Sequence, residues 1–123
     1  MMMSVFLVED NICILNLFDI FLRSSGYSVI GKAQNGEEAV ISYKLMSTKP
    51  DLVIMDYHMP VKNGIEALKE ILEIDRQAKI MIVSADRSIE KIAKSVGAVA
   101  FMEKPFSMEI LIENINNTIT NCV

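Results

Sequence analysis

The stretch that decides the fold is DLVIMDYHMP, residues 51–60. It follows Pro50, stays apolar from Leu52 to Met55, and stops at Asp56. A continuous apolar run of this length, without alternation, is typical of a strand that is buried on both faces of a parallel sheet. We therefore expect Asp56 at the carboxyl edge of a sheet, which is where ligands bind in open α/β folds.

The rest of the chain repeats this strand-then-helix pattern. Apolar runs predict further strands at 5–8, 29–33, 80–83 and 98–102, and helical patterns at 12–23, 35–46, after Asn63-Gly64, at 88–96 and after Ser107. Strands that alternate with helices over short connections predict an α/β fold with helices on both faces of a parallel sheet. A doubly wound, five-stranded, flavodoxin-like (βα)5 arrangement with strand order 2-1-3-4-5 fits this pattern, and it makes the ends of strands one and three neighbours.

Local signals predict several helix ends. Asn35 and Glu38 suit a reciprocal capping box, and Gly26 suits a left-handed helix terminus. Ser107 is expected to cap the last helix. The apolar stripes place Ile12 on the inner face of the first helix and Ile92 on the inner face of the fourth.

Composition narrows the class of protein. A length of 123 residues predicts one domain, 1–123, and 51% hydrophobic residues provide ample material for its core. The net charge of −4, without a basic block, argues against direct nucleic-acid binding. No run approaches the roughly 20 apolar residues that span a bilayer, so we expect a cytoplasmic protein without membrane insertion. Cys13 and Cys122 lack metal-ligand spacing and are interpreted as reduced thiols.

Polar residues stand at matching ends of four predicted strands: Glu9 and Asp10, Asp56, Ser84, and Lys104. Each is ordinary by itself, because loops face water. If they converge, the three carboxylates repel one another by roughly 3–4 kcal/mol per pair at an effective dielectric near 20. A cation must then compensate, and hard oxygen ligands without a His or Cys side chain suit Mg²⁺. Lys104 offers a second positive charge, and no glycine-rich nucleotide-binding motif is present.

These residues carry a resemblance to response-regulator receiver domains of two-component signalling, and it covers essentially the whole chain in the right order. The motifs are Glu9-Asp10, Asp56 followed by Met59-Pro60 and Asn63-Gly64, Ser84-Ala85, and Lys104-Pro105-Phe106. The resemblance implies that Asp56 accepts a phosphoryl group from a sensor histidine kinase or phosphotransfer protein. It also implies that Mg²⁺ is held by Glu9, Asp10, Asp56 and the backbone carbonyl of His58. Ser84 and Lys104 would contact the phosphoryl oxygens, and the Lys104–Pro105 bond would be cis.

The resemblance further implies a signalling switch rather than an enzyme, with self-phosphorylation and dephosphorylation at Asp56 only. Phe101 would turn inward on phosphorylation and change the surface of the fourth helix, fifth strand and fifth helix for a downstream protein partner. Phe101 lacks the hydroxyl of a tyrosine, and residues 98–100 lack the acidic pair that accompanies a charged dimer in many members. His58 and Asp86 would flank the phosphoryl group and tune its lifetime.

Two alternatives remain at the level of sequence. The first is a Mg²⁺-dependent phosphohydrolase that uses an aspartyl-phosphate for turnover. Enzymes of that kind that resemble haloacid dehalogenases carry a second Asp two residues after the nucleophile, whereas His58 stands there in this chain. The second is an interaction module that has kept the fold without phosphorylation, against which the intact set of polar residues argues.

Overall fold

The computed structural model describes residues 2–121, in which five strands alternate with five helices. The strands are β1 Ser4–Val8, β2 Ser28–Ala33, β3 Leu52–Asp56, β4 Ile80–Ser84 and β5 Ala100–Glu103. The helices are α1 Ile12–Ser24, α2 Gly36–Leu45, α3 Gly64–Ile74, α4 Glu90–Val96 and α5 Met108–Asn121, and a 3₁₀ turn at Arg87–Ile89 precedes α4. Within the described residues, no helix has both the length and the apolar character needed to cross a membrane.

The strands form one parallel sheet in the order β2-β1-β3-β4-β5, so the predicted doubly wound, flavodoxin-like topology is confirmed. All residues of β3 and β4 are buried, in keeping with their unbroken apolar runs. The register pairs Val8 with Met55, Asp56 with Val83, and Ser84 with Glu103. The carboxyl ends of four strands therefore come together at one edge of the sheet.

Each face of the sheet carries its own hydrophobic core. Alternate residues of the strands point to opposite faces, so that Phe6 packs with α2, α3 and α4, and its neighbour Leu7 packs with α1 and α5. Large, fully buried side chains fill both cores, including Tyr43, Phe6, Leu15, Leu22, Leu68 and Ile71. The sheet is consequently held from both sides, which fixes the positions of the strand ends.

The capping box predicted at α2 is wrong, and one occurs at α3 instead. Asn35 Oδ1 accepts a hydrogen bond from the N–H of Glu38 at 2.8 Å, but the Glu38 carboxylate turns to the N–H of Gln34 and the Asn35 amide. At α3, Asn63 Oδ1 accepts from the N–H of Glu66, and Glu66 Oε1 accepts from the N–H of Asn63, both at 2.9 Å. Both orphan donors are satisfied at the helix that follows Asp56.

The fourth repeat also differs from its prediction. The segment predicted as one helix from Ser88 divides into the 3₁₀ turn and a seven-residue α4, because the Asp86 carboxylate accepts from the N–H of Ser88 and starts the turn early. No side chain caps the α4 N-terminus at Ile89. The strand predicted from Ala98 begins at Ala100, because the N–H of Ala98 bonds to the Ala93 carbonyl and belongs to the helix cap. Gly97, with φ of 127°, permits that cap.

Two residues predicted on inner faces are exposed. Ile12 is 48% exposed because it is the first residue of α1, beside the solvent-facing cap. Ile92 is 54% exposed because the short α4 buries only Ala93 of its own residues. The predicted positive φ at Gly26 and the Ser107 cap are confirmed. Cys13 is an exposed free thiol, and Cys122 lies outside the described residues.

Candidate functional site

Glu9 and Asp10 leave β1 at the carboxyl edge of the sheet. The N–H of Glu9 bonds to the Ala33 carbonyl at 3.0 Å, which extends the β1–β2 ladder by one residue and buries Glu9. Its Oε2 accepts from the N–H of Asn11 at 3.1 Å, and Asn11 Oδ1 caps α1. Glu9 is thereby fixed in orientation, whereas Asp10 is exposed.

Asp56 is the last residue of β3 and is buried, with only 8% of its surface exposed. The N–H of Gly64, the first residue of α3, bonds to the Tyr57 carbonyl at 2.9 Å. A Cβ on Gly64 would lie 2.4 Å from the Asp56 carbonyl oxygen, so only glycine permits this approach. The start of α3 is therefore packed directly against the backbone of Asp56.

Ser84 ends β4 and is almost completely buried. Its Oγ accepts from the N–H of Asp86 at 3.0 Å, which leaves the hydroxyl proton available to a further acceptor. Its carbonyl accepts from the N–H of Lys104 at 2.9 Å. This backbone bond brings the residue after β5 to the same edge as Asp56.

Lys104 joins the acids across the sheet. Its Nζ lies 3.1 Å from Glu9 Oε1 and 3.2 Å from Asp56 Oδ1. The Lys104–Pro105 peptide bond is cis, as expected. One ammonium group therefore contacts two buried carboxylates that are 47 residues apart in the sequence.

Burial and mutual attraction shift the pKa values of the three charged groups at this centre, Glu9, Asp56 and Lys104. Burial raises the pKa of the Glu9 carboxyl, and Asp56 adds to the rise although the Asn11 N–H opposes it. Burial also raises the pKa of Asp56, against the attraction of the Lys104 ammonium. For Lys104, burial lowers the pKa, but attraction to Asp56 and Glu9 outweighs it and the net shift is upward. Lys104 therefore stays protonated at neutral pH beside acids that ionise reluctantly.

Glu9, Asp10 and Asp56 each offer one carboxylate oxygen, and these oxygens lie within 4.8 Å of one another. An all-oxygen set with an open, exposed member suits Mg²⁺, which keeps several waters and takes few carboxylates. The raised pKa values of Glu9 and Asp56 are relieved by any added cation. The residues present thus fit a divalent ion, as the sequence predicts.

The remaining predicted residues lie around this centre. His58 is in the loop after β3, where its ring contacts the Tyr57 ring edge-on with centroids 4.7 Å apart. Phe101 lies in β5, half-buried against the core shared with α2, α3 and α4. The metal-ligand role of the His58 carbonyl and the switch role of Phe101 stay predictions.

Sequence reasoning missed one residue that holds the site in place. Asn11 fixes Glu9 through its backbone and caps α1 through its side chain. An Asn directly before an apolar-periodic segment is an N-cap signal that could have identified it. Asp86, which is predicted to flank the phosphoryl group, also orients Ser84 through its N–H, and a backbone contact of this kind leaves no signal in the sequence.

The fold and the site define a class: doubly wound α/β proteins with an acidic, lysine-bridged centre at the switch point of the sheet. A family model described as the response regulator receiver domain matches residues 5–116. The chain therefore belongs to the family of response regulator receiver domains, as its motifs predict.

Named relatives agree with this assignment. The chain is 40% identical over 114 residues to the chemotaxis protein CheY of Thermotoga maritima, covering 91% of this chain and 93% of that one. It is 40% identical over 117 residues to the chemotaxis protein CheY of Bacillus subtilis, covering 94% and 96% of the two chains. It also resembles a chain in the crystal structure of the CheX–CheY–BeF3–Mg complex from Borrelia burgdorferi. That match has a TM-score of 0.88 and 30% identity, and it covers 94% of this chain and 87% of the other.

Proposed function

We propose that this receiver domain is a phosphorylation-dependent switch in which Asp56 accepts a phosphoryl group from a histidine kinase or phosphotransfer protein. The observation that carries the proposal is the Lys104 ammonium, 3.2 Å from Asp56 Oδ1 and 3.1 Å from Glu9 Oε1. It sets a fixed positive charge beside the carboxylate that would act as nucleophile. Positioned charge is most of what phosphoryl transfer requires from a protein.

In the proposed transfer, an oxygen of the Asp56 carboxylate attacks the phosphorus of a phosphohistidine. The new P–O bond forms as the P–N bond breaks, and the electron pair leaves with the imidazole nitrogen of the donor, which then takes a proton from water. Lys104 stabilises the charge on the phosphoryl oxygens during the transfer. The product is an acyl phosphate that adds about two negative charges at the carboxyl edge.

Glu9, Asp10 and Asp56 are proposed to hold Mg²⁺, together with the backbone carbonyl of His58. When bound, the ion supplies neutralisation of the phosphoryl oxygens without proton transfer. The N–H of Asn11 holds the Glu9 carboxylate in a fixed orientation for this role. His58 and Asp86 flank this centre and are proposed to tune the lifetime of the acyl phosphate.

The proposed output begins at Ser84. Its hydroxyl proton can be donated to a phosphoryl oxygen while its Oγ still accepts from the N–H of Asp86. Because this second bond ties the loop after β4 to the hydroxyl, the loop would move when the hydroxyl moves toward the phosphoryl group. Phe101 is half-buried in β5, next to β4, and would turn inward, which changes the surface of α4, β5 and α5 for a downstream protein partner. Moving such a switch from 1:99 to 99:1 takes about 5.5 kcal/mol of differential stabilisation. A cytoplasmic location, where a kinase would meet the chain, stays a prediction.

The test uses the purified chain, acetyl phosphate and Mg²⁺, with intact-mass spectrometry as the readout. We expect one phosphoryl group on the wild type, none after chelation of the metal, and none on Asp56→Asn. Asp51→Asn is the matched control, because Asp51 lies just before the same strand, at its other end, where it accepts bonds from Ser4. That variant should be labelled like the wild type.

Undiminished labelling of Asp56→Asn would contradict the assignment of the nucleophile. Rapid multiple turnover of a small phosphate ester would favour the phosphohydrolase alternative. A chain that binds no Mg²⁺ and takes no label would favour the interaction module. In nuclear magnetic resonance spectra, Mg²⁺ with beryllium fluoride should shift residues of α4 and β5, and the absence of any shift there would contradict the proposed output.

A further inference from the structure

A groove of about 860 Å³ lies at the edge of the sheet opposite Asp56. The C-terminal turns of α3 and α4 form its walls. Lys79 precedes β4, and the N–H of Val99 bonds to the Ile80 carbonyl at 2.9 Å, which places the groove at the amino ends of β4 and β5. The groove includes α3, so it is distinct from the surface formed by α4, β5 and α5.

The floor of the groove is aliphatic, and its rim is cationic. Leu72, Val96 and Val99 lie along the floor, and Val99 is 37% exposed. The rim carries Lys69, Arg76 and Lys79 against a single carboxylate, that of Glu73. The groove is therefore locally cationic on a chain whose net charge is −4.

The three cations of the rim make no ion pair with any of the described residues. Six of the other nine cations pair with carboxylates, namely Arg23, Lys32, Lys62, Arg87, Lys94 and Lys104, whereas Lys44, Lys49 and Lys91 do not within the part of the chain that the structure describes. The rim thus presents positive charge without an internal partner, directly beside partly exposed aliphatic surface. Such a combination fits an external acidic group joined to an apolar one.

We propose that this groove binds a short acidic segment of another protein that carries at least one aliphatic side chain. The aliphatic side chain would fill the floor, and the flanking carboxylates would pair with Lys69, Arg76 and Lys79. A nucleic acid fits less well, because bases need aromatic side chains on which to stack and the groove lining has none. The small size of the groove and its exposed charges give a weak complex, with Kd on the order of 10–100 μM at moderate salt.

The experiment is an amide nuclear magnetic resonance titration of the whole chain. The probe is a synthetic acetylated peptide in which one leucine is flanked on both sides by glutamates. We expect saturable shifts at the amides of Ala78, Gly97 and Val99, and a loss of affinity as salt is raised. A peptide with glycine in place of the leucine should bind about tenfold more weakly or worse, because it lacks the side chain that fills the floor.

Variants of the groove provide the second arm. The double charge reversal Arg76→Glu with Lys79→Glu should weaken peptide binding by at least about tenfold. Lys44→Glu, an exposed lysine on α2 outside the groove, should leave the affinity unchanged. If the double variant fails to fold, Val99→Asn keeps every charge and should weaken binding through the floor alone.

Four results would overturn the proposal. The first is the absence of saturable shifts at the groove amides, and the second is equal binding of the leucine and glycine peptides. The third is unchanged affinity in the folded charge-reversal or Val99→Asn variants. The fourth is a different occupant of the same amides, seen either as tighter binding of single-stranded polyuridine or as shifts that grow with the concentration of the chain alone.

Discussion

At the carboxyl edge of the sheet, burial raises the pKa values of Glu9 and Asp56, with a single ammonium group between them. At the amino edge, the hydroxyl of Tyr43 donates to Asp75 at 2.6 Å and lowers the pKa of that half-exposed carboxyl. An acid with a raised pKa destabilises the folded state once it ionises, whereas an acid with a lowered pKa stabilises it. The carboxylates at the two edges therefore have opposite effects on stability, and the destabilising pair is the one proposed to carry the chemistry.

The same contrast holds for cations. Lys104 is held between two buried acids, whereas Lys69, Arg76 and Lys79 at the amino-edge groove make no ion pair within residues 2–121. Buried charges at the carboxyl edge control one another because little solvent screens them, whereas exposed charges at the amino edge are screened. Substitutions at the first edge should consequently change reactivity, and substitutions at the second should change folding or docking.

The largest expected effect is at the ammonium group. Lys104→Met should slow labelling of Asp56 by acetyl phosphate by about 10²–10³-fold, because a positioned charge is lost from the transferring group. The measurement is the initial rate of phosphorylation at fixed Mg²⁺. Lys44→Met, on the exposed face of α2, should keep the wild-type rate. A loss of less than about tenfold for Lys104→Met would remove this lysine from the proposed chemistry.

The next effect concerns stability at the carboxyl edge. Asp56→Asn should raise the free energy of unfolding at pH 7 without divalent ions by about 0.5–2 kcal/mol, because one of two crowded, buried carboxylates disappears. Urea unfolding measures the change. The stabilisation should shrink when Mg²⁺ is added, since the ion favours the wild type. A destabilised Asp56→Asn would mean that the acids do not oppose folding.

The amino edge should respond in the opposite direction. Tyr43→Phe should lower the free energy of unfolding at pH 7 by about 1 kcal/mol, through loss of the hydrogen bond to Asp75. Because the folded pKa of Asp75 is lowered, this contribution is fully present above the unfolded value of 3.8 and is lost as the pH falls through the folded pKa. Urea unfolding at pH 7 and at steps below pH 4 should show the two proteins converging. A difference that is constant over this range would exclude Asp75 as the cause.

The smallest effect concerns the backbone near Asp56. Val61, in the loop after β3, has a φ of 71°, which a β-branched residue rarely adopts. Val61→Gly should raise the free energy of unfolding by about 0.5–1 kcal/mol. This is the net effect, because relief of backbone strain is partly offset by the greater conformational entropy that glycine gives the unfolded chain. Gly26→Ala is the reverse substitution and serves as the control. The φ of 94° at Gly26 should make alanine destabilising there, even though the alanine Cβ would meet nothing within 4 Å. Equal signs for the two variants would contradict the assignment of strain.

Sequence alone predicts the sheet well, because unbroken apolar runs such as 52–55 specify buried strands and their order follows from the handedness of crossovers. The convergence of Glu9, Asp56 and Lys104 follows from the same argument, since each ends a parallel strand. The short α4 and the late start of β5 do not follow, because they depend on a hydrogen bond from the Ser88 N–H to the Asp86 carboxylate and on backbone hydrogen bonds at Gly97 and Ala98. Contacts of this kind belong to a folded loop and have no periodic signature.

The way α4 is anchored in the core bears on which proteins its surface can bind. The side chains that anchor this uncapped helix and the turn before it in the core are Ile89, the completely buried Ala93 and the partly buried Val96. The methyl group of Ala93 is the fully buried contact of α4, so its size limits how closely the helix approaches the sheet. A bulkier residue at position 93 would change the orientation of α4 without changing the residues that α4 exposes. Preference for a protein partner would then change even if every polar residue around Asp56 stayed the same.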